Sequence, residues 1–113
     1  MSGIIKNIQI GETLSLVAQI DCIPGQVISK TLAQTPGAGL TLFAMPAGEG
    51  ISAHKSTGDA FVLVLTGEME MTIEDKTHKA AAGECVVMPA GLPHAVKALT
   101  VSKMLLVVIF PQS

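Results

Sequence analysis

His54 and His94 are the residues of this 113-residue chain best suited to chemistry. Each follows a turn rich in Gly or Pro: Gly48-Glu49-Gly50 precedes His54, and Pro89-Ala90-Gly91-Leu92-Pro93 precedes His94. An imidazole at such a loop–strand junction titrates near neutral pH and carries a lone pair that can take a proton or bind a metal. One histidine on an apolar face is more often a structural residue bonded to a carbonyl. Ser56, two residues after His54, can donate or accept a hydrogen bond but is a poor metal ligand. Asp59 is the nearest carboxylate. Turned inward, it would complete a set of two histidines and one carboxylate, the arrangement of non-haem iron oxygenases. Turned outward, it would cap a turn. On a regular strand Asp59 faces away from His54, Ser56 and Ala60, and Gly58 could host a bulge that turns it in. His78 stands beside Asp75-Lys76 in a charged stretch and reads as a solvent-facing hairpin residue.

Sulfur is the other chemically capable element. Met45, Met69, Met71, Met88 and Met104 are scattered among the apolar segments. Thioethers bind copper in its soft, reduced state only when several face one point. Met69 and Met71, two apart on one segment, read as core or dimer packing, and methionine here reads as adaptable core filler. Cys22 and Cys85 lie far apart and fit reduced thiols in a cytoplasmic protein better than a disulfide framework. Cys85 reads as a small buried hydrophobe.

These residues must be positioned by short strands. Gly and Pro break the chain every eight to fifteen residues, and the segments between are rich in Val, Ile, Leu and Thr. Strands are predicted over 27–33, 39–45, 60–65, 68–74, 84–88 and 103–110. Residues 60–65 form a continuous apolar run, which predicts a strand covered on both faces. Residues 68–74 alternate, with Met69, Met71 and Ile73 on one face and Glu68, Glu70, Thr72 and Glu74 on the solvated other. No window carries a helical period, so the chain reads as a single all-β domain over residues 1–113, a sandwich or barrel.

Composition sets the remaining bounds. Apolar residues make up 49% and charged residues 14%, which excludes disorder, and with aromatics at 3% the core must be aliphatic. The seven cations are all Lys and the net charge is −2, which argues against nucleic-acid binding. The apolar run 104–110 is far short of the roughly 20 residues of a membrane span, and no targeting signal is evident. So much apolar surface on a small domain predicts a homodimer.

The spacing of these residues resembles the cupin superfamily, small jelly-roll β-barrels. The first cupin motif is G-x5-H-x-H-x3,4-E-x6-G. Gly48, His54 and Gly67 match it, while Ser56 stands at the second histidine and Ala60 at the glutamate. The second motif is G-x5-P-x-G-x2-H-x3-N. Gly83, Pro89, Gly91 and His94 match it, and Ala98 replaces the asparagine. The resemblance implies a cupin-like jelly roll whose interior carries His54 and His94. Metal-binding members hold a divalent ion (Fe, Mn, Zn or Ni) on three histidines and a glutamate. Here the resemblance supplies only two of those ligands, so a metal would be weakly bound or absent. The expected function is small-molecule binding in a pocket of His54, Ser56, Asp59 and His94. The alternatives are an oxygenase with metal on His54, Asp59 and His94, a metal-free isomerase or epimerase using a histidine base, and a non-catalytic sensor or structural domain.

Overall fold

The computed structural model describes residues 3–112. Among the described residues nine strands follow in order: β1 (Ile28–Gln34), β2 (Ala38–Met45), β3 (Gly50–His54), β4 (Asp59–Thr66), β5 (Glu68–Ile73), β6 (Lys76–Ala81), β7 (Cys85–Met88), β8 (His94–Ala98) and β9 (Ser102–Ile109). The one helical piece among them is a single 3-10 turn, Val17–Gln19. The strands form two antiparallel sheets, one ordered β1-β2-β9-β4-β7 and the other β3-β8-β5-β6. Only β1–β2 and β5–β6 pair with their chain neighbours; the other ladders join strands distant in sequence, the Greek-key connectivity of a jelly roll.

The inner faces of the two sheets meet in an aliphatic core. Met45, Ala60, Val62, Val64, Met69 and Met71 are buried there, joined by Met88, Val96, Ala98 and Met104. The alternation expected along 68–74 holds: Met69 and Met71 are fully buried and Glu68 is exposed. His78 lies exposed on β6, an edge strand whose lysines discourage further pairing. Strands β3, β6 and β8 fall outside the six spans predicted from the sequence, and β3 and β6 lack an apolar signature.

The run 60–65 is covered fully on its inner face and only in part on its outer one, short of the cover expected on both. Ala60, Val62 and Val64 point into the core, while Phe61 is 37% exposed on the outer face. The cover on that outer face comes from the N-terminal segment, which stops short. Ile20, Leu32, Leu42 and Ala44 form a second buried cluster outside the five-stranded sheet, packed by Ile8, Leu16 and Cys22. Hydrogen bonds pin this segment in place, from Lys103 Nζ to the Val17 carbonyl (2.7 Å) and from the Lys6 amide to the Leu32 carbonyl (2.7 Å). Beyond it, Phe61, Val87 and Ile109 stay bare. Cys85 is likewise exposed on this face, opposite Leu63, rather than buried as expected. Both cysteines are free. Among the described residues no helix is long and apolar enough to cross a membrane.

Two glycines flank β4 at close approaches. Gly67 takes φ +81° between β4 and β5, and a Cβ there would run into Ser102 Oγ and the Val101 carbonyl. Gly58 is buried against β9, where a Cβ would lie 2.5 Å from the Ile109 carbonyl oxygen and 2.8 Å from Val108 Cγ1.

Candidate functional site

His54 ends β3 and His94 begins β8, and the two residues are direct cross-strand partners. A register shift between Ile51 and His54 makes this possible: Ile51 opposes Val96, and three residues on β3 then span two on β8. Ile51 packs against the core. Without the extra residue, His54 would fall on the opposite face from Ile51, because side chains alternate along a strand. The rings meet edge to face, with centroids 4.4 Å apart and planes at 67°. His94 is 2% exposed and His54 lies open at the mouth.

Both rings are held the same way. His54 Nδ1 is 2.9 Å from the Ser52 carbonyl oxygen, and His94 Nδ1 is 3.1 Å from that of Leu92. A carbonyl only accepts, so each Nδ1 carries the proton and donates it. Each neutral ring is left with its lone pair on Nε2, and neither Nε2 has a hydrogen-bond partner among the described residues. Burial lowers the pKa of His94 below the ordinary imidazole value; the bond to Leu92 opposes this in part, and the neighbouring His54 lowers it further. His94 is therefore neutral at pH 7, with its lone pair available.

The two rings border a cavity of about 200 Å³ between the sheets. Its walls are apolar: Ala60, Met88, Val96, Met104, Leu106 and Val108. Lys55 and Ser56, from the loop linking β3 to β4, complete its lining. The structure thus brings three of the four expected pocket residues together: His54, Ser56 and His94. Ser56 also shapes its loop, since its hydroxyl accepts the Gly58 amide (3.1 Å) and its carbonyl accepts the Gly91 amide (2.9 Å).

Asp59 is not brought to the histidines. Its carboxylate accepts the Ala90 amide (2.9 Å) and lines a separate rim groove with Thr57, Ala90 and Pro111. The physical reason is the ladder: β4 pairs with β9 in regular register from Asp59 opposite Ile109 and Ala60 opposite Val108, with no bulge at Gly58, so Ala60 faces inward and Asp59 away. The donor set of His54, Asp59 and His94 weighed for an oxygenase is not assembled. No cluster of three His, Cys, Asp or Glu able to hold a metal exists among the described residues. The cavity supplies two imidazoles and no anionic donor, which does not fit the four-ligand shell of metal-binding cupins. Met88, Met104 and Lys55 are lining residues that the sequence reading did not place. For Met88 the missing signal was a ladder, since it pairs with Ala60 across β4 and β7 and so shares its inward face.

Comparison with known proteins agrees with this architecture. The Cupin domain family model matches residues 41–110. A conserved protein of unknown function from Streptococcus pyogenes is similar at 39% identity and TM-score 0.96, over 99% of this chain and 98% of that one. A cupin superfamily protein from Desulfitobacterium hafniense is similar at 29% identity and TM-score 0.90, over 95% of this chain and 98% of the other. A cupin 2 conserved barrel domain protein from Leptotrichia buccalis shares 36% identity at TM-score 0.82, over 85% of this chain and 47% of that protein. No curated protein matches. The matched span runs from β2 through β9 and takes in both histidine-bearing motifs. With those motifs joined as neighbouring strands of a jelly roll, the chain belongs to the cupin family.

Proposed function

We propose that this cupin barrel binds a small molecule in the cavity between its sheets, gripping it through His54 and His94. The observation that carries this reading is the pair of Nε2 lone pairs, freed because each Nδ1 is committed to a backbone carbonyl. Two acceptors at one end of an apolar cavity suit a ligand with an apolar body and a hydroxyl or amine donor head. A volume of about 200 Å³ limits that ligand to the size of a few water molecules up to a small metabolite. A divalent ion would be a weakly held guest, with water filling the positions that the cavity's own residues leave open.

A second reading rests on the neutral state of His94. A neutral imidazole beside a second one is a competent general base at pH 7, which suits a metal-free isomerase or epimerase. Turnover that survives chelator would select this reading. Ligand-dependent melting without turnover would select the binding module.

The test is a thermal-melting screen of small polar-headed ligands, run on the parent, His54→Ala and His94→Ala, with metal content by mass spectrometry. The expected result is a ligand that raises the parent's melting temperature and loses that effect in both variants. A stabilising ligand whose effect survives in both variants overturns the proposal. The same reading includes pairing of two chains through the bare outer face of β4, β7 and β9, where Phe61, Val87 and Ile109 stand exposed.

A further inference from the structure

We propose that the cavity takes a small α-hydroxy carboxylic acid, its carboxylate received at the mouth by the Lys55 ammonium and the Ser56 hydroxyl, and its own hydroxyl donated to the histidine Nε2 atoms. The inference rests on the pocket reading above and narrows it to one class of ligand.

Three observations carry it. First, the charge of the cavity is one-sided. Apart from the two imidazoles, Lys55 is the one ionisable side chain among its lining residues, and no carboxylate joins it. Asp59, the nearest acid in the chain, accepts the Ala90 amide and lines the separate rim groove. Second, Lys55 is unspent. Lys30 and Lys103 donate their ammonium groups to the carbonyls of Gln19 and Val17, whereas Lys55 is exposed and makes no such bond among the described residues. Third, Ser56 keeps a proton to give. Its oxygen accepts the Gly58 amide, and a hydroxyl used as an acceptor still has its own hydrogen to donate.

The head group follows from these donors and acceptors. A carboxylate only accepts, so it matches Lys55 and Ser56 but not the two imidazole lone pairs. An amine would match the lone pairs but meets the like charge of Lys55. A carboxylate with a hydroxyl beside it satisfies both sets. His54, Lys55 and Ser56 are consecutive, with Cα atoms about 3.8 Å apart, so they meet one compact head rather than the two ends of a long ligand. The carboxylate stays at the mouth, where Lys55 is exposed, and the interior walled by Met88, Val96, Met104 and Leu106 receives only hydrocarbon. The penalty of burying an unpaired charge is thereby avoided. The cavity of about 200 Å³ is smaller than the roughly 300–1,000 Å³ of pockets for drug-sized ligands, so the hydrocarbon is a short chain. The chain has no Arg, so the carboxylate meets a point charge and not a bidentate fork.

The experiment is a calorimetric titration of the parent chain with each enantiomer of α-hydroxybutyrate, beside its uncharged amide and beside butyrate, which lacks the hydroxyl. One enantiomer of the hydroxy acid is expected to bind about tenfold or more tightly than either analogue, the scale of a hydrogen bond to a charged group. Lys55→Gln should remove the preference for acid over amide without shifting the unliganded melting temperature, since Lys55 is exposed. Lys97→Gln removes the same charge from the outer face of β8 and should leave the preference unchanged. Equal affinity for acid and amide overturns the proposal, as does a preference that survives in Lys55→Gln or is lost equally in Lys97→Gln. So does butyrate binding as tightly as the hydroxy acid, and so does the absence of binding by both enantiomers. If the preference for the acid fails while a melting shift by the amide or another ligand still depends on His54 and His94, the hydroxy-acid inference falls and the pocket reading stands. If no ligand's effect depends on the histidines, both fall.

Discussion

At the scale of single residues, the behaviour of the site turns on proton placement. His94 gives up its proton more readily in the native barrel than in the unfolded chain, because burial disfavours the imidazolium. The unfolded state therefore binds more protons below about pH 6.5, the ordinary imidazole value. Stability should be level above that pH and decline as pH falls from there toward the native pKa of His94. Denaturant midpoints measured from pH 7.5 to 5 should show this decline, and His94→Gln should flatten it. Protonation also occupies the Nε2 lone pair, so ligand affinity should drop as pH falls through the lowered native pKa of His94. A second residue-scale expectation concerns Ala60. Ala60→Glu would set a carboxylate on the inner face beside the two imidazoles, and should convert a weak divalent site into one that retains zinc or manganese through gel filtration. Metal analysis of the purified variant checks this. No gain in metal would mean that the Ala60 position does not aim at the histidines.

The elements position these residues by means that are mostly local. The extra residue on β3 rotates His54 inward, and the loop from 55 to 58 is drawn onto β9 by the buried Gly58. Gly58→Ala places a methyl against the Ile109 carbonyl and Val108 Cγ1, two atoms with little freedom to yield. It should destabilise the fold by about 1–3 kcal/mol, the usual range for overpacking. It should also loosen the loop that carries Ser56. Chemical denaturation, together with the ligand-melting assay, would show both effects. An unchanged midpoint would mean that the β4 entry is softer than its packing implies. The histidines themselves were legible in the sequence because their turns are: Gly and Pro at fixed spacings leave few places for the chain to re-enter a strand. The register shift was not legible. Nothing in Ser52 or Ala53 marks an extra residue, which exists only because β8 lies alongside.

For the whole molecule the open question is the outer face of the five-stranded sheet. The N-terminal segment buries Leu32, Leu42 and Ala44 but leaves Phe61, Val87 and Ile109 bare on neighbouring strands. Apolar side chains grouped on one sheet face gain by excluding water against a matching surface, and a second copy supplies one by symmetry. Light scattering at micromolar concentration should give the mass of a dimer. Phe61→Lys with Val87→Glu should return a folded monomer. A monomeric parent would leave the patch without the partner proposed for it. The cover on both faces expected for 60–65 is met on the inner face and at Leu65, and fails at Phe61 within one chain.

The sequence by itself determined the fold class and the two histidines. Alternation, breakers and motif spacing are local properties, and local properties suffice for strands, turns and the residues that follow them. It also carried the family, because Gly48, His54, Gly67, Gly83, Pro89, Gly91 and His94 keep their separations whatever lies between. Three matters were left to the tertiary structure. Whether Asp59 joins the histidines depended on the regular register of β4 against β9, some fifty residues away in the chain. Which methionines reach the cavity depended on the pairing of β4 with β7 and β9. Which nitrogen of each imidazole is free depended on the carbonyls of Ser52 and Leu92 turning back toward the rings. Each is decided by long-range packing or by backbone orientation, and neither is written in residue type or spacing.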